Sequence, residues 1–124
     1  MSHEAVIALG SNIDARQNIE NAFDRLQKQF QLSKQAGPVV TSPIGITDQP
    51  DFLNAVALIR TDLSMEEVVS ALKVIEDEMG RDRSRAKFGP REIDLDVLIW
   101  NQKVVDKDFY EREFLQKLVE QLDF

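Results

Sequence analysis

The sequence predicts an α+β fold: a mainly antiparallel sheet with two helices on one face. Three observations predict it. Short apolar segments have strand length, two longer segments carry apolar residues at three- and four-residue steps, and the segments follow in the order β-α-β-β-α-β.

Residues 4–9, Glu-Ala-Val-Ile-Ala-Leu, read as a buried strand ending in Gly10-Ser11-Asn12. Ile19, Ala22, Phe23, Leu26 and Phe30 recur at helical spacing, which predicts a helix over roughly 15–30. Residues 32–41 read as a weaker strand interrupted by Gly37-Pro38, and residues 41–50 as a loop by their Pro and Gly content. Phe52 to Arg60 is a strand. Ser64-Met65-Glu66-Glu67 fits a capping box and opens a second helix, whose apolar face is Met65, Val68, Val69, Leu72, Ile75 and Met79. Gly80 stops it. A strand over 92–100 follows the basic run 81–91, and Asn101-Gln102 turns into a short strand at Lys103–Val105. From Asp106 onward, Leu115, Leu118, Val119 and Leu122 predict a terminal amphipathic helix. This is the order of a ferredoxin-like βαββαβ sandwich with a C-terminal helix. The sheet face away from the two helices is expected to be free to carry a site. No repeat, low-complexity tract or linker divides the chain, so one domain over residues 1–124 is expected.

Bulk properties exclude several classes. With 43% hydrophobic and 30% charged residues, the 124-residue chain has a globular composition. It has no cysteine, which excludes disulfides and thiolate chemistry. No apolar run approaches the roughly 18 residues of a membrane span, and Met1-Ser2-His3-Glu4 does not begin a signal peptide. No membrane association and a cytoplasmic location are expected. The net charge of −7 is uneven, with +4 over residues 81–91 and −11 elsewhere. An acidic body repels polyanions, and one Tyr and one Trp leave few platforms for stacking bases, so no nucleic-acid partner is expected. A small basic patch on such a body suits a small anion.

The chemistry concentrates in residues 81–100. Asp94 and Asp96 sit at i and i+2 of an apolar strand, on one face and about 6–7 Å apart. Hard divalent cations such as Mg²⁺ are held by one or two carboxylates plus substrate phosphates. The segment entering the strand, Arg81-Asp82-Arg83-Ser84-Arg85-Ala86-Lys87, is crowded with cations. Guanidinium groups clamp phosphate oxygens, and the like charges are expected to repel one another until phosphate arrives.

These features, with the Thr41-Ser42-Pro43 loop, resemble the 6-hydroxymethyl-7,8-dihydropterin pyrophosphokinases of folate biosynthesis. The resemblance is collinear from about residue 5 to residue 106. Four segments carry it: Ala8-Leu9-Gly10-Ser11-Asn12; Asp48-Gln49-Pro50-Asp51-Phe52-Leu53-Asn54-Ala55; Ile75-Glu76 with Gly80-Arg81; and Gly89-Pro90-Arg91 with Asp94-Leu95-Asp96.

The resemblance implies transfer of the terminal pyrophosphoryl unit of ATP to the pterin's hydroxymethyl group, with release of AMP. It implies two Mg²⁺ ions held by Asp94 and Asp96. Arg81 and Arg91 join the two aspartates as catalytic residues. Glu76, Arg81, Arg83, Arg91, Val97 and Arg112 are implied to bind the nucleotide. Thr41, Ser42, Pro43 and Ile44, with Phe52 and Asn54, are implied to bind the pterin, and Phe114 or its neighbour Phe109 to supply a second stacking ring. A flat heteroaromatic needs a ring to stack on and an amide edge to hydrogen-bond, which Phe52 and Asn54 offer. No side chain need act as general base if bound metal lowers the hydroxyl pKa. Small-molecule partners and a monomer are expected.

The match stops after Asp106. The Pro-His element usual in the family is absent there, and the only histidine is His3. Phe88 stands where a tryptophan is common and Glu92 where a neutral residue is common. The chain ends at Phe124, where the family usually continues with a further segment. These departures keep a second reading open: a catalytically impaired relative that binds pterin or nucleotide as a sensor or partner subunit.

Overall fold

A strand buried on both faces must lie inside a sheet. Ala5, Ile7 and Leu9 alternate with Val6, and all four are buried. In the computed structural model, which describes residues 2–124, they belong to β1 (His3–Ser11), the central strand. The chain continues through α1 (Ala15–Gln29), β2 (Gln31–Thr41), β3 (Phe52–Thr61), α2 (Met65–Glu78), β4 (Asp94–Trp100), β5 (Lys103–Val104), α3 (Asp108–Glu111) and α4 (Glu113–Leu122). The sheet order is β2-β3-β1-β4-β5, with every neighbouring pair antiparallel. This is the ferredoxin-like α+β arrangement the sequence predicts, with a C-terminal helix.

On one face Ile7, Leu9 and Ile59 pack against Ile19 and Leu26 of α1 and Leu72 and Ile75 of α2. Ser64 caps α2 with both halves of the capping box: Glu67 N–H donates to Ser64 Oγ (3.2 Å), and Ser64 N–H donates to Glu67 Oε1 (3.1 Å). Gly80, at φ 86°, ends that helical run in the left-handed region that favours glycine.

The other face is not free, which corrects the sequence expectation. Val6, Val56, Leu58 and Leu98 project there, and Leu115, Leu118 and Leu122 of α4 bury them. The face is apolar at that end, so it requires a cover. α4 packs on β2 and β3, and the same face beyond it carries Asp94 and Asp96, which share the side of Leu98 by two-residue alternation.

Other details also differ. The terminal helix is two helices, because Arg112 takes an extended conformation (φ −125°, ψ 103°) between α3 and α4. Met65 and Val69 are each 37% exposed; α2 turns Val68, Leu72, Ile75 and Glu76 inward instead. β4 begins at Asp94, not residue 92, and β5 stops at Val104. Among the described residues, no helix is long and apolar enough to cross a membrane.

Leu118 is 1% exposed at the centre of the α4 contact. Leu118→Ala is expected to cost about 2–4 kcal/mol in chemical denaturation, whereas exposed Val74→Ala costs less than about 0.5 kcal/mol. A small loss at Leu118 would show that α4 is not part of the cooperative core.

Candidate active site

The site grows from the end of β1. Gly10 is the cross-strand partner of Asn54 on β3 and of Asp94 on β4. Cross-strand partners point to the same face, so Asn54, Gly10 and Asp94 form a row across three strands. The glycine leaves Asn54 room in the middle of the row. A Cβ at Gly10 would come 3.1 Å from Asn54 Oδ1. Asn54 Nδ2 in turn donates to Thr41 Oγ1 at 2.6 Å, which ties the row to the start of the 42–51 loop.

Two cavities open on either side of Asp94. The first, about 400 Å³, is lined by Thr41, Ser42, Ile44, Phe52, Asn54 and Phe114, and also by Lys87, Phe88, Arg91 and Arg112. The second, about 540 Å³, is lined by Glu76, Arg81, Arg83, Asp96 and Val97, with Met65, Val69 and Lys73. Asp94 and Lys107 line both. One cavity offers aromatic rings and amide groups; the other offers carboxylates and guanidinium groups. Pro43 and Phe109 line neither, and Arg91 and Arg112, which the resemblance associates with nucleotide, line the first.

The basic loop is not a run of repelling charges, which corrects a second expectation. Each of its arginines rests on carboxylate. Arg81 Nη1 donates to Asp94 Oδ1 (3.2 Å) and to Ile93 O (3.0 Å), and lies 3.4 Å from Glu76 Oε2. Arg91 Nη1 donates to Asp94 Oδ2 (3.0 Å) and Nη2 to Lys87 O. Arg83 donates to Glu76 Oε1 (2.9 Å) and Asp77 Oδ1 (3.0 Å). Arg85 donates to Glu92 Oε2 (2.7 Å), and the other oxygen of Glu92 accepts from Asp82 N–H (3.1 Å). Glu92 therefore anchors the loop rather than the strand.

Glu76 lies at the margin of the apolar face by spacing, yet it is 4% exposed. It accepts from Leu95 N–H at 2.7 Å and so joins α2 to β4. Burial raises its pKa; the Leu95 N–H and Arg83 oppose that shift. Asp96 is reached by solvent, yet protein crowds around it. Its carboxyl is pushed up to about 7, first by desolvation and then by Asp94, Glu76, Asp106 and Asp108. Among the described residues, no three His, Cys, Asp or Glu side chains gather to enclose an ion. Two carboxylates on one strand face suit a hard cation that brings other oxygen ligands with it.

Sequence reasoning gave no role to Asn12, Gln49, Asp77 or Lys107. Asn12 and Gln49 lie inside the segments that carry the resemblance, but spacing gave no sign that they meet. Lys107 lies just beyond the four segments that carry the resemblance.

The profile of a family described as 7,8-dihydro-6-hydroxymethylpterin-pyrophosphokinase matches residues 6–123, so the similarity runs on past Asp106, which corrects the expectation that it stops there. The chain is similar to proteins named 2-amino-4-hydroxy-6-hydroxymethyldihydropteridine pyrophosphokinase. The one from Pseudomonas aeruginosa is 35% identical over 109 residues, 86% of this chain and 67% of that protein. The one from Bacillus subtilis is 34% identical over 126 aligned positions, 93% of this chain and 75% of that protein. A folate synthesis bifunctional protein of Arabidopsis thaliana is 40% identical over 107 residues, 85% of this chain but only 22% of that longer protein. The chain thus spans about a fifth of such plant relatives.

The raised pKa of Asp96 has a consequence for stability. Its unfolded value is 3.8 and its folded value about 7, so the folded state loses stability as pH rises between them. Asp96→Asn removes that penalty. In chelator the variant is expected to be more stable to chemical denaturation than the parent at pH 8, by about 1 kcal/mol after solvent screening, with the gap closing near pH 4. A variant less stable at pH 8 would contradict the crowded-carboxylate reading.

Proposed function

The chain belongs to the 7,8-dihydro-6-hydroxymethylpterin-pyrophosphokinase family, and from that premise we propose that it transfers pyrophosphate from ATP to the hydroxymethyl group of 6-hydroxymethyl-7,8-dihydropterin, releasing AMP. The observation that carries this reading is the pair of chemically distinct cavities that share Asp94. The pterin fits the first cavity, with Phe52 and Phe114 for its faces and Asn54 and the Thr41–Ile44 wall for its polar edge. The nucleotide fits the second, among Glu76, Arg81, Arg83 and Val97. The triphosphate then crosses at Asp94 and Lys107, where the two cavities meet.

The hydroxymethyl oxygen attacks the β-phosphorus. An O–Pβ bond forms, the bond from Pβ to the α-phosphate oxygen breaks, AMP leaves, and the hydroxyl proton passes to solvent. Such transfer depends on alignment and charge neutralisation more than on covalent help from the protein. Arg81 and Arg91 reach phosphate by releasing Asp94, and Arg83 by releasing Glu76 and Asp77. Guanidinium forks match phosphate oxygens as well as carboxylates. Asp94 and Asp96 would hold a pair of Mg²⁺ ions, which need further oxygen ligands from outside the two carboxylates. Bound magnesium would neutralise phosphate charge and lower the pKa of the attacking hydroxyl. Glu76 holds the metal strand in place through Leu95 N–H. We treat the chain as a single domain acting as a monomer on two small molecules.

AMP release tests the reading. The protein with ATP, Mg²⁺ and the reduced pterin is expected to form AMP steadily, and only when all three are present. Asp94→Ala and Asp96→Ala are each expected to lower turnover by about 100-fold or more while the protein remains folded. Binding of both substrates without AMP formation would instead identify a binding relative, and near-normal turnover in either variant would remove the metal assignment.

A further inference from the structure

Asp94 and Lys107 line both cavities, and the reaction written above gives a chemical role only to the first of them. Lys107 is exposed, between the end of β5 and the start of α3. Its backbone is fixed on both sides. Before it, Val105 N–H and Asp106 N–H both donate to Leu98 O (3.0 and 3.4 Å), which ties the segment to the strand that carries Asp94 and Asp96. After it, Asp108 N–H donates to Asp106 Oδ1 (2.9 Å), and Tyr110 N–H and Glu111 N–H donate to Lys107 O (3.0 and 3.3 Å). The side chain is not held in this way. Among the described residues its ammonium group forms no hydrogen bond and no ion pair, whereas Arg81, Arg83, Arg85 and Arg91 each rest on carboxylate. Each of the other two lysines at the site lines one cavity: Lys73 the second, Lys87 the first.

We propose that Lys107 is a catalytic residue whose ammonium group donates to an oxygen of the pyrophosphoryl unit while that unit passes from the nucleotide cavity to the pterin cavity. The inference rests on the functional reading above. The transferred unit belongs to the nucleotide before reaction and to the pterin after it, so a cation that lines both cavities can stay with it throughout. The hydroxymethyl oxygen bonds to Pβ as the bond from Pβ to the α-phosphate oxygen breaks, and Lys107 keeps its proton. In a loose transition state negative charge builds on the departing AMP oxygen and spreads over the oxygens of Pβ. A cation anchored beside that path stabilises the transition state more than the ground state. The loop arginines must first release a carboxylate; Lys107 has none to release. A compact ammonium on a flexible four-carbon stem also suits an oxygen that moves, where a planar guanidinium fork suits one that is fixed.

The test is steady-state AMP formation by Lys107→Met and Lys107→Arg at varied ATP and pterin. Lys103→Met, at an exposed lysine that lines neither cavity, is the charge control. Lys107→Met is expected to lower kcat about 100-fold and to change either KM by less than about 3-fold. Lys107→Arg keeps the charge and is expected to recover kcat to within about 10-fold of wild type. Lys103→Met is expected to match wild type, and all three variants to keep the wild-type midpoint in urea. A kcat for Lys107→Met within about 3-fold of wild type overturns the proposal. So does a raised KM for ATP at unchanged kcat, which marks binding shared by ground and transition states. An equal loss in Lys107→Met and Lys107→Arg overturns it too, because the charge is then not what matters. Wild type that forms no AMP from ATP, Mg²⁺ and pterin overturns the functional reading, and the role of Lys107 with it.

Discussion

One carboxylate holds two arginines, and the site depends on it. Asp94 accepts from Arg81 through one oxygen and from Arg91 through the other. Arg81 follows the glycine that ends the α2 run, and Arg91 closes the return to β4. The two ends of the basic loop are thus fastened to one side chain in the sheet. The remaining arginines, Arg83 and Arg85, rest on Glu76, Asp77, Asp82 and Glu92. The loop's positive charge is internally matched until a stronger anion arrives. On the proposed reading that anion is a triphosphate, which carries more charge than any one carboxylate it displaces. The same matching, on a chain of net charge −7, weakens the pull on unrelated polyanions.

The fold serves that carboxylate. β1 is central because it is apolar on both faces, and its end supplies the one residue without a side chain, Gly10, between Asn54 and Asp94. α4 covers the apolar half of the face and leaves the acidic half open. Glu76 reaches from α2 to the backbone of β4, and burial raises its pKa despite two arginine neighbours. Asp96 is also held above its ordinary range by crowding. Both groups cost stability at neutral pH, as expected where charge is gathered for binding rather than for folding.

The order of elements was legible because strands and helices write their periods into adjacent residues. So were the capping box at Ser64 and the two-residue spacings of Asp94 with Asp96 and Phe52 with Asn54. What was not legible depends on residues distant in sequence. The break at Arg112 lies inside a continuous apolar period, so spacing alone predicts one helix. Met65 and Val69 share that period with Val68 and Leu72, but they lie where α2 overhangs a cavity. The pairing of Arg85 with Glu92 and of Arg83 with Glu76 is set by the loop's path, which composition does not reveal. The meeting of Asn12 with Gln49 and Arg91 joins three separate segments, each unremarkable alone.

The central claim is that Asp94 exchanges its arginines for metal when nucleotide binds. A crystal structure of the protein with Mg²⁺ and a non-transferable ATP analogue tests it most directly. The account predicts Asp94 and Asp96 on magnesium, with Arg81 and Arg91 moved onto phosphate oxygens. Analogue bound in the second cavity, with both arginines still on Asp94, would contradict it.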